Sequence, residues 1–432
     1  EFPSSILDAE PTKTNSRNRV FTENNTLLTM VLTATQQDKT LKNSVDMYYM
    51  IHQKHKQEVI TGLEESVEKE KKQDSLSPNK KVGRPKTYSV KVPKSLTKDI
   101  SLNTAAYSKA RERVSLSLIK KLFSASRLEG VENLYSHWHG YRVMEGDGTY
   151  VQMQDTESIR EEYEVKHKGV ATGGYPQGLL EVITERGTGQ VYDLKLSNRH
   201  ESELSLFYEM LDGVPPKALL LLDDLYNCFE IISKCERKNI KFVVPAKRER
   251  NYDLVEKLAE GDEIIRITTP KNRSKWLKEN EPANSFLIRR VQCKSPDGKQ
   301  YVLHTNVLDK NIDKEEIQVL FLTRWDIEIS IREIKTIMDI NVLRSKTPEM
   351  ALKELIVALA TYNLIRKIIH SSIKDLNFFP KEDLIYQFYT LNKNILIDKK
   401  GRVYNRWSSG RKRVKNLNNK TSVTKTKTEQ DV

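Results

Sequence analysis

The sequence has little of what would staple a fold with disulfides or metal. Its three cysteines, Cys228, Cys235 and Cys293, form no C-x-x-C pair, which argues against a disulfide framework and a structural zinc site. Eight histidines are scattered without H-x-x-x-H spacing, and neither a P-loop nor G-x-G-x-x-G occurs, so neither zinc nor a nucleotide cofactor is expected. No apolar run approaches the length of a bilayer-spanning helix, and no charged-then-apolar leader opens the sequence. Secretion and membrane insertion are therefore not expected, and the cysteine usage fits a reducing cytoplasm.

What is present is basic. Across 432 residues, 72 Lys and Arg stand against 59 Asp and Glu, a formal charge of +13. A polyanion is the natural partner of such a chain, nucleic acid first among them. A hydrophobic share of 38% is enough to bury a core, and the length allows two to four structural units.

Apolar periodicity divides the chain. Leu27, Leu28, Val31 and Leu32, then Val45, Met47, Tyr48 and Ile51, make helical stripes, so residues 1–63 read as a small helical region. Residues 64–98 are charged and rich in Ser, Pro and Lys, with too little apolar content to pack, and read as a linker. Residues 99–140 carry one or two amphipathic helices over Ala105–Phe123. From 141 to 249 short strands at Tyr141–Glu145, Tyr150–Met153, Leu179–Thr184 and Val191–Leu196 form a meander. Leu204–Leu211, Ala218–Leu222, Phe229–Cys235 and Ile240–Pro245 then alternate helix and strand. Residues 250–311 read as an all-β insertion, 312–372 as helices, and 373–432 as a basic tail.

The most informative segment is Phe321-Leu-Thr-Arg324-Trp325-Asp-Ile-Glu328 and its continuation to Lys335. On a helix Arg324, Glu328 and Lys335 share one face, and Ile327, Ile331, Ile334 and Met338 form the adjoining apolar face. Taken in isolation, this is an ordinary Arg–Glu pair on a helix surface, worth about 0.3 kcal/mol. Asp147-Gly148 in isolation is a hairpin-turn dipeptide, and an Asp ending a buried strand is a helix cap.

Together these residues resemble the bacterial insertion-sequence DDE transposases, whose signature is Y-x2-R-x3-E-x6-K. Phe321, Arg324, Glu328 and Lys335 keep its spacing, with Phe321 replacing the tyrosine and losing its hydroxyl. The resemblance runs from roughly residue 15 to 370, through Arg19-Val-Phe21-Thr22, Ala106-Tyr107, Asp147-Gly148-Thr149, Asp223-Asp224-Leu225-Tyr226, Arg344-Ser345 and Ala360-Thr361-Tyr362-Asn363. It implies an α/β fold: an RNase H-like mixed sheet interrupted by the β insertion, with the helical DNA-binding region before it and the basic tail after it.

The same resemblance implies a site. Asp147, Asp223 and Glu328 would hold two Mg²⁺ ions, with Mn²⁺ as an alternative, Asp147 bridging both. Hard carboxylate oxygens suit that ion, which keeps waters and takes phosphate oxygens as further ligands. Asp223 is preferred to Asp224 because Asp223-x-x-Tyr226 keeps the family's D-x-x-Y spacing, leaving Asp224 as a cap. Arg324 and Lys335, next to Phe321, would clamp phosphates.

Trp276, in the insertion, has two readings: a base-stacking residue during hairpin formation, as in some relatives, or a packed core residue. Gly83-Arg84-Pro85 resembles the core of a minor-groove hook, with Arg84 lying in an A·T-rich groove, or is part of a solvated linker. The implied partners are double-stranded DNA at element ends and target, and a second copy of the chain when DNA is bound. The implied setting is the bacterial cytoplasm, at the nucleoid. A catalytically silent DNA-binding regulator and an RNase H-like nuclease without strand transfer are the alternative functions.

Overall fold

The structure is a computed structural model that describes residues 20–36, 38–75, 87–93, 102–128, 137–167, 169–171, 173–247, 250–276, 284–295, 298–375, 395–397 and 403–405. Near its start α1 (Glu23–Thr35) is capped by Thr22, whose hydroxyl accepts from the Asn25 N–H at 3.3 Å. Leu27, Met30 and Val31 turn inward from α1, and Val45 and Tyr48 from α2 (Leu41–Ser75). Met47 and Ile51, expected in the same stripe, are exposed.

Helix α2 also runs on through Ser75, past the expected linker boundary at residue 64. Its last turns are Glu- and Lys-rich, and those residues favour helix without needing a core. The Ala105–Phe123 segment is two helices, α3 (Thr104–Arg113) and α4 (Leu116–Ser126), the second capped by Ser115.

The central feature is one ten-stranded sheet. A two-residue strand β1 (His137–Trp138) pairs with β2 (Tyr141–Gln152). After α5 (Glu157–Tyr163) and the small hairpin of β3 (Lys166–His167) and β4 (Val170–Ala171) come β5 (Gln177–Glu185) and β6 (Val191–Asn198). β2, β5 and β6 form the expected antiparallel meander. The chain then crosses through α6 (Glu203–Met210) to β7 (Ala218–Leu221), which lies parallel to β2, and through α7 (Phe229–Arg237) to β8 (Lys241–Pro245), parallel to β7. The sheet is mixed, as expected.

Two expectations change here. Residues Tyr141–Gln152 are a single strand, with Asp147 paired to Val182 in its middle, so Asp147-Gly148 does not turn. The glycines serve packing instead: a Cβ on Gly148 would stand 2.6 Å from Glu203 Oε1 and 2.7 Å from Glu181 Oε2, and one on Gly146 would strike the Phe207 ring. Glycine inside a strand marks such close approach.

The insertion, β9 (Asp253–Ala259), β10 (Asp262–Thr268), β11 (Ser285–Lys294) and β12 (Gln300–Thr305), is not a separate sheet. β12 pairs antiparallel with β8, and the whole extends the central sheet in the order β8-β12-β11-β10-β9. Strand β9 is charged and mostly exposed, which is why no apolar pattern announces it. Inside the insertion Arg289 is buried on Asp262, Nε to Oδ1 at 2.8 Å and Nη2 to Oδ2 at 2.6 Å, and its Nη1 donates to the Asp309 and Ile312 carbonyls.

The expected helix from Lys314 to Met338 is broken into α8 (Lys314–Leu322) and α9 (Trp325–Ile337). At the break the Thr323 hydroxyl donates to the Leu320 carbonyl at 2.7 Å and receives Arg186 Nη1 at 3.1 Å, so a side chain competes with the helix ladder. Helix α10 (Pro348–Asp375) buries Leu355, Ile356, Val357, Leu359 and Tyr362 against α1, α4 and one face of the sheet.

Asn363 on α10 clamps the start of β6, its Oδ1 accepting from the Val191 N–H and its Nδ2 donating to the Val191 carbonyl, both at 2.9 Å. The opposite sheet face is covered by α6 and α7. No helix among the described residues is long and apolar enough to cross a membrane. Within 373–432 only the end of α10 and a pair of three-residue strands are described; the rest of the expected basic tail lies outside the described residues.

Candidate active site

Parallel pairing sets Arg142 beside Ala218 and Glu145 beside Leu221. Carried two residues further, past the end of β7, that register brings Asp147, midway along β2, level with Asp223, whose charge acts on it. Each carboxylate is oriented by the next residue: Asp147 Oδ1 accepts from the Gly148 N–H at 2.9 Å, and Asp223 Oδ1 from the Asp224 N–H at 2.8 Å. Asp223 therefore caps the single 3₁₀ turn Asp224–Tyr226. This corrects the expectation that Asp224 is the cap. The Asp224 carboxylate instead pairs with Lys247.

The Asp147 carboxyl is pushed up to about 6, chiefly by burial, with Glu203 and Asp223 also raising it against the opposing Gly148 N–H and Arg324. A carboxylate that resists ionisation beside like charge is one that gains from a cation.

Two cations attend Asp147 from the break and the far end of α9, which packs on β2. Arg324, at the start of α9, draws the Asp147 charge and lies 5.9 Å over the Phe321 ring. Lys335 is half-buried, and its ammonium is held below the usual lysine range by burial, opposed by Asp147. The apolar face of α9 is as expected, with Ile327, Ile334 and Met338 buried and Ile331 partly so.

Position 328 falls between Arg324 and Lys335 on the helix, on their face by helical spacing; the Glu328 side chain lies outside the described residues. Phe321 packs 6.4 Å from the Tyr301 ring. Trp276 is edge-on to Tyr208 at 5.8 Å, packed against the second core cluster. Arg84 lies outside the described residues.

Sequence reasoning missed several neighbours. Lys247 follows the end of β8, and its ammonium is raised by the hydrogen bond to Asp224, with Asp223 also contributing. Behind Gly148, Tyr226 is fully buried with its Oη 2.8 Å from Glu181 Oε1 and 2.9 Å from Glu203 Oε1. The signal for this group was present: Glu181 is a charge within the otherwise apolar Leu-Leu-Glu-Val-Ile strand.

Among the described residues no three His, Cys, Asp or Glu are grouped to hold a metal ion. A cavity of about 500 Å³ lies elsewhere, among α1, α3 and α10, lined by Lys39, Tyr107, Arg111 and Arg344.

A family model described as a transposase DDE domain matches residues 138–364. The transposase InsG of insertion sequence element IS4 from Escherichia coli (strain K12) is 24% identical over 269 residues, 61% of this chain. The match spans 60% of that relative's length. The solved synaptic complex of piggyBac transposase with hairpin DNA overlaps 53% of this chain and 48% of its own at a TM-score of 0.32 and 8% identity.

Proposed function

The chain belongs to the DDE-domain transposases, and from that premise we propose that it cleaves the DNA ends of a mobile element and joins them to target DNA. The observation that carries the reading is the register that sets Asp147 beside Asp223, with Arg324 and Lys335 both acting on Asp147. Glu328, from α9, is the third carboxylate.

The family implies divalent metal, and hard oxygen donors on neighbouring strands beside an acid raised to about 6 fit Mg²⁺ or Mn²⁺. Asp147, Asp223 and Glu328 would hold the ions, which supply activation of a water or 3′-hydroxyl and stabilisation of the leaving oxygen. The protein's own residues do the rest. Gly148 and Asp224 N–H groups orient the two aspartates. Arg324, steadied on Phe321, and Lys335 bind the phosphates flanking the cut, one as a fork and one as a point charge.

The DNA partner follows from the +13 charge and the family. Residues 1–63 and 99–140 would recognise the ends, Arg84 beyond the end of α2 would reach a minor groove, and two copies would bridge two ends on DNA. Such a protein works in the cytoplasm, at the nucleoid. The test is incubation with duplexes carrying the terminal inverted repeats of the element that encodes the chain. Discrete cuts at the repeat boundaries and joining of the freed 3′ ends to a second DNA are expected. Cutting without joining would make it a nuclease, and binding without cutting a regulator.

A further inference from the structure

Behind the two aspartates lies a group that the proposed chemistry does not use. Tyr226 closes the turn that begins at Asp223, and its ring packs 4.5 Å from Phe207. Its one hydroxyl stands within hydrogen-bond distance of two carboxyls, Glu181 on β5 and Glu203 at the first position of α6. A phenol has one proton to donate. Both contacts are satisfied only if one carboxyl carries a proton and donates it to Tyr226 Oη while Tyr226 donates to the other.

Glu203 sits in the first turn of a helix, where negative charge is favoured. Glu181 is fully buried, and burial pushes its carboxyl well above the usual carboxylate range. The chain therefore runs from Glu181, which carries the proton, through Tyr226 to Glu203.

The position of this chain in the fold is specific. Glu181 is the cross-strand partner of Gly148, and both Glu181 and Glu203 abut the place a Cβ would occupy there. The same three side chains thus back the strand holding Asp147 and anchor the turn holding Asp223. Phenylalanine would fill the Tyr226 site equally well and would not require two carboxyls beneath the sheet, so the hydroxyl marks a demand other than packing.

We propose that Tyr226 is a positioning residue whose hydroxyl, held between Glu181 and Glu203, fixes the Asp223 turn beside Asp147 in the geometry that binds the divalent ion. This rests on the transposase reading of the Asp147–Asp223 pair.

The test is Mn²⁺ affinity of the full chain, measured by electron paramagnetic resonance titration, for the wild type and for Asp147→Asn, Asp223→Asn, Tyr226→Phe, Glu181→Ala and Glu181→Gln. Groups that orient metal ligands typically contribute about tenfold or more in affinity. Tyr226→Phe and Glu181→Ala are expected to weaken Mn²⁺ binding by about that factor. Glu181→Gln, whose amide still donates to Tyr226, should rescue binding to within about twofold of wild type.

Wild-type affinity in Tyr226→Phe alongside weakened Asp223→Asn overturns the positioning role and leaves the metal site intact. Wild-type affinity in both aspartate variants overturns the metal reading, and the proposal with it. Should Tyr226→Phe fail to fold, the contrast between the two Glu181 variants decides: equal loss in both overturns the proton-donating chain.

Discussion

Replacing Asp147 by Asn should stabilise the metal-free protein at neutral pH. The folded state raises this carboxyl from 3.8 to about 6, with burial the largest cause and Glu203 and Asp223 adding to it. Each tenfold change in proton affinity is worth ~1.4 kcal/mol, so the shift amounts to roughly 3 kcal/mol. The folded chain binds this proton more tightly than the unfolded chain. Its contribution to stability is therefore full below about pH 4 and is lost as pH rises through about 6. Above that, wild-type protein carries an unfavourable buried charge that asparagine lacks.

The attraction of Arg324 is already counted in that shift, and solvent screening at this partly exposed site reduces the gain to about 1–2 kcal/mol. The assay is urea unfolding in EDTA from pH 4 to 8, each midpoint compared with wild type. The variant should be more stable at pH 7–8 and the difference should vanish toward pH 4. Adding Ca²⁺ should stabilise wild type and leave the variant unmoved. A variant less stable than wild type at pH 8 in EDTA, or a difference that does not change with pH, would refute the reasoning.

Asp224→Asn removes an ion pair whose lysine is largely exposed, so stability should change by less than about 1 kcal/mol and end cleavage should persist; loss of cleavage there with retention in Asp223→Asn would exchange their roles. Arg289→Met leaves Asp262 buried without its guanidinium partner and should cost about 3–5 kcal/mol in denaturant unfolding, while a loss below 1 kcal/mol would show the pair is relieved some other way. Trp276→Ala, because of the edge-on contact with Tyr208, should lower the melting temperature and slow nicking and hairpin formation alike; selective loss of hairpin formation would make it a base-stacking residue.

Where burial wrote a period into the sequence, the structure was legible. The stripe Ile327, Ile331, Ile334 and Met338 on α9, the apolar run of β7 and the long apolar helix α10 are all legible, because α9 and α10 turn one face to a core and β7 is buried on both. Features set by contacts distant in sequence were not. Gly146 and Gly148 read as turn residues until Phe207 and Glu203, more than fifty positions later, are seen to press on them. Strand β9 exposes nearly all of its side chains, so it carries no alternation to detect.

The pairing of β12 with β8 depends on where the insertion folds back, which no local pattern encodes. In the candidate site, the aspartate pair and the cations of α9 came from motif spacing. Lys247 and the Glu181–Tyr226–Glu203 chain are joined to them only through the register of β2, β5 and β7, and the Asp223-x-x-Tyr226 spacing and a charge in an apolar strand are their traces in the sequence.

The central claim, that Asp147, Asp223 and Glu328 serve DNA cleavage rather than folding, is tested most directly by assaying cleavage and binding of end DNA on the same variants. Asp147→Asn, Asp223→Asn and Glu328→Gln should each bind end duplexes in Ca²⁺ as wild type does, and each should fall to background cleavage in Mg²⁺, where wild type cuts. A triple variant that still nicks the ends in Mg²⁺, or wild-type protein that binds them and never cuts with Mg²⁺ or Mn²⁺, would contradict it.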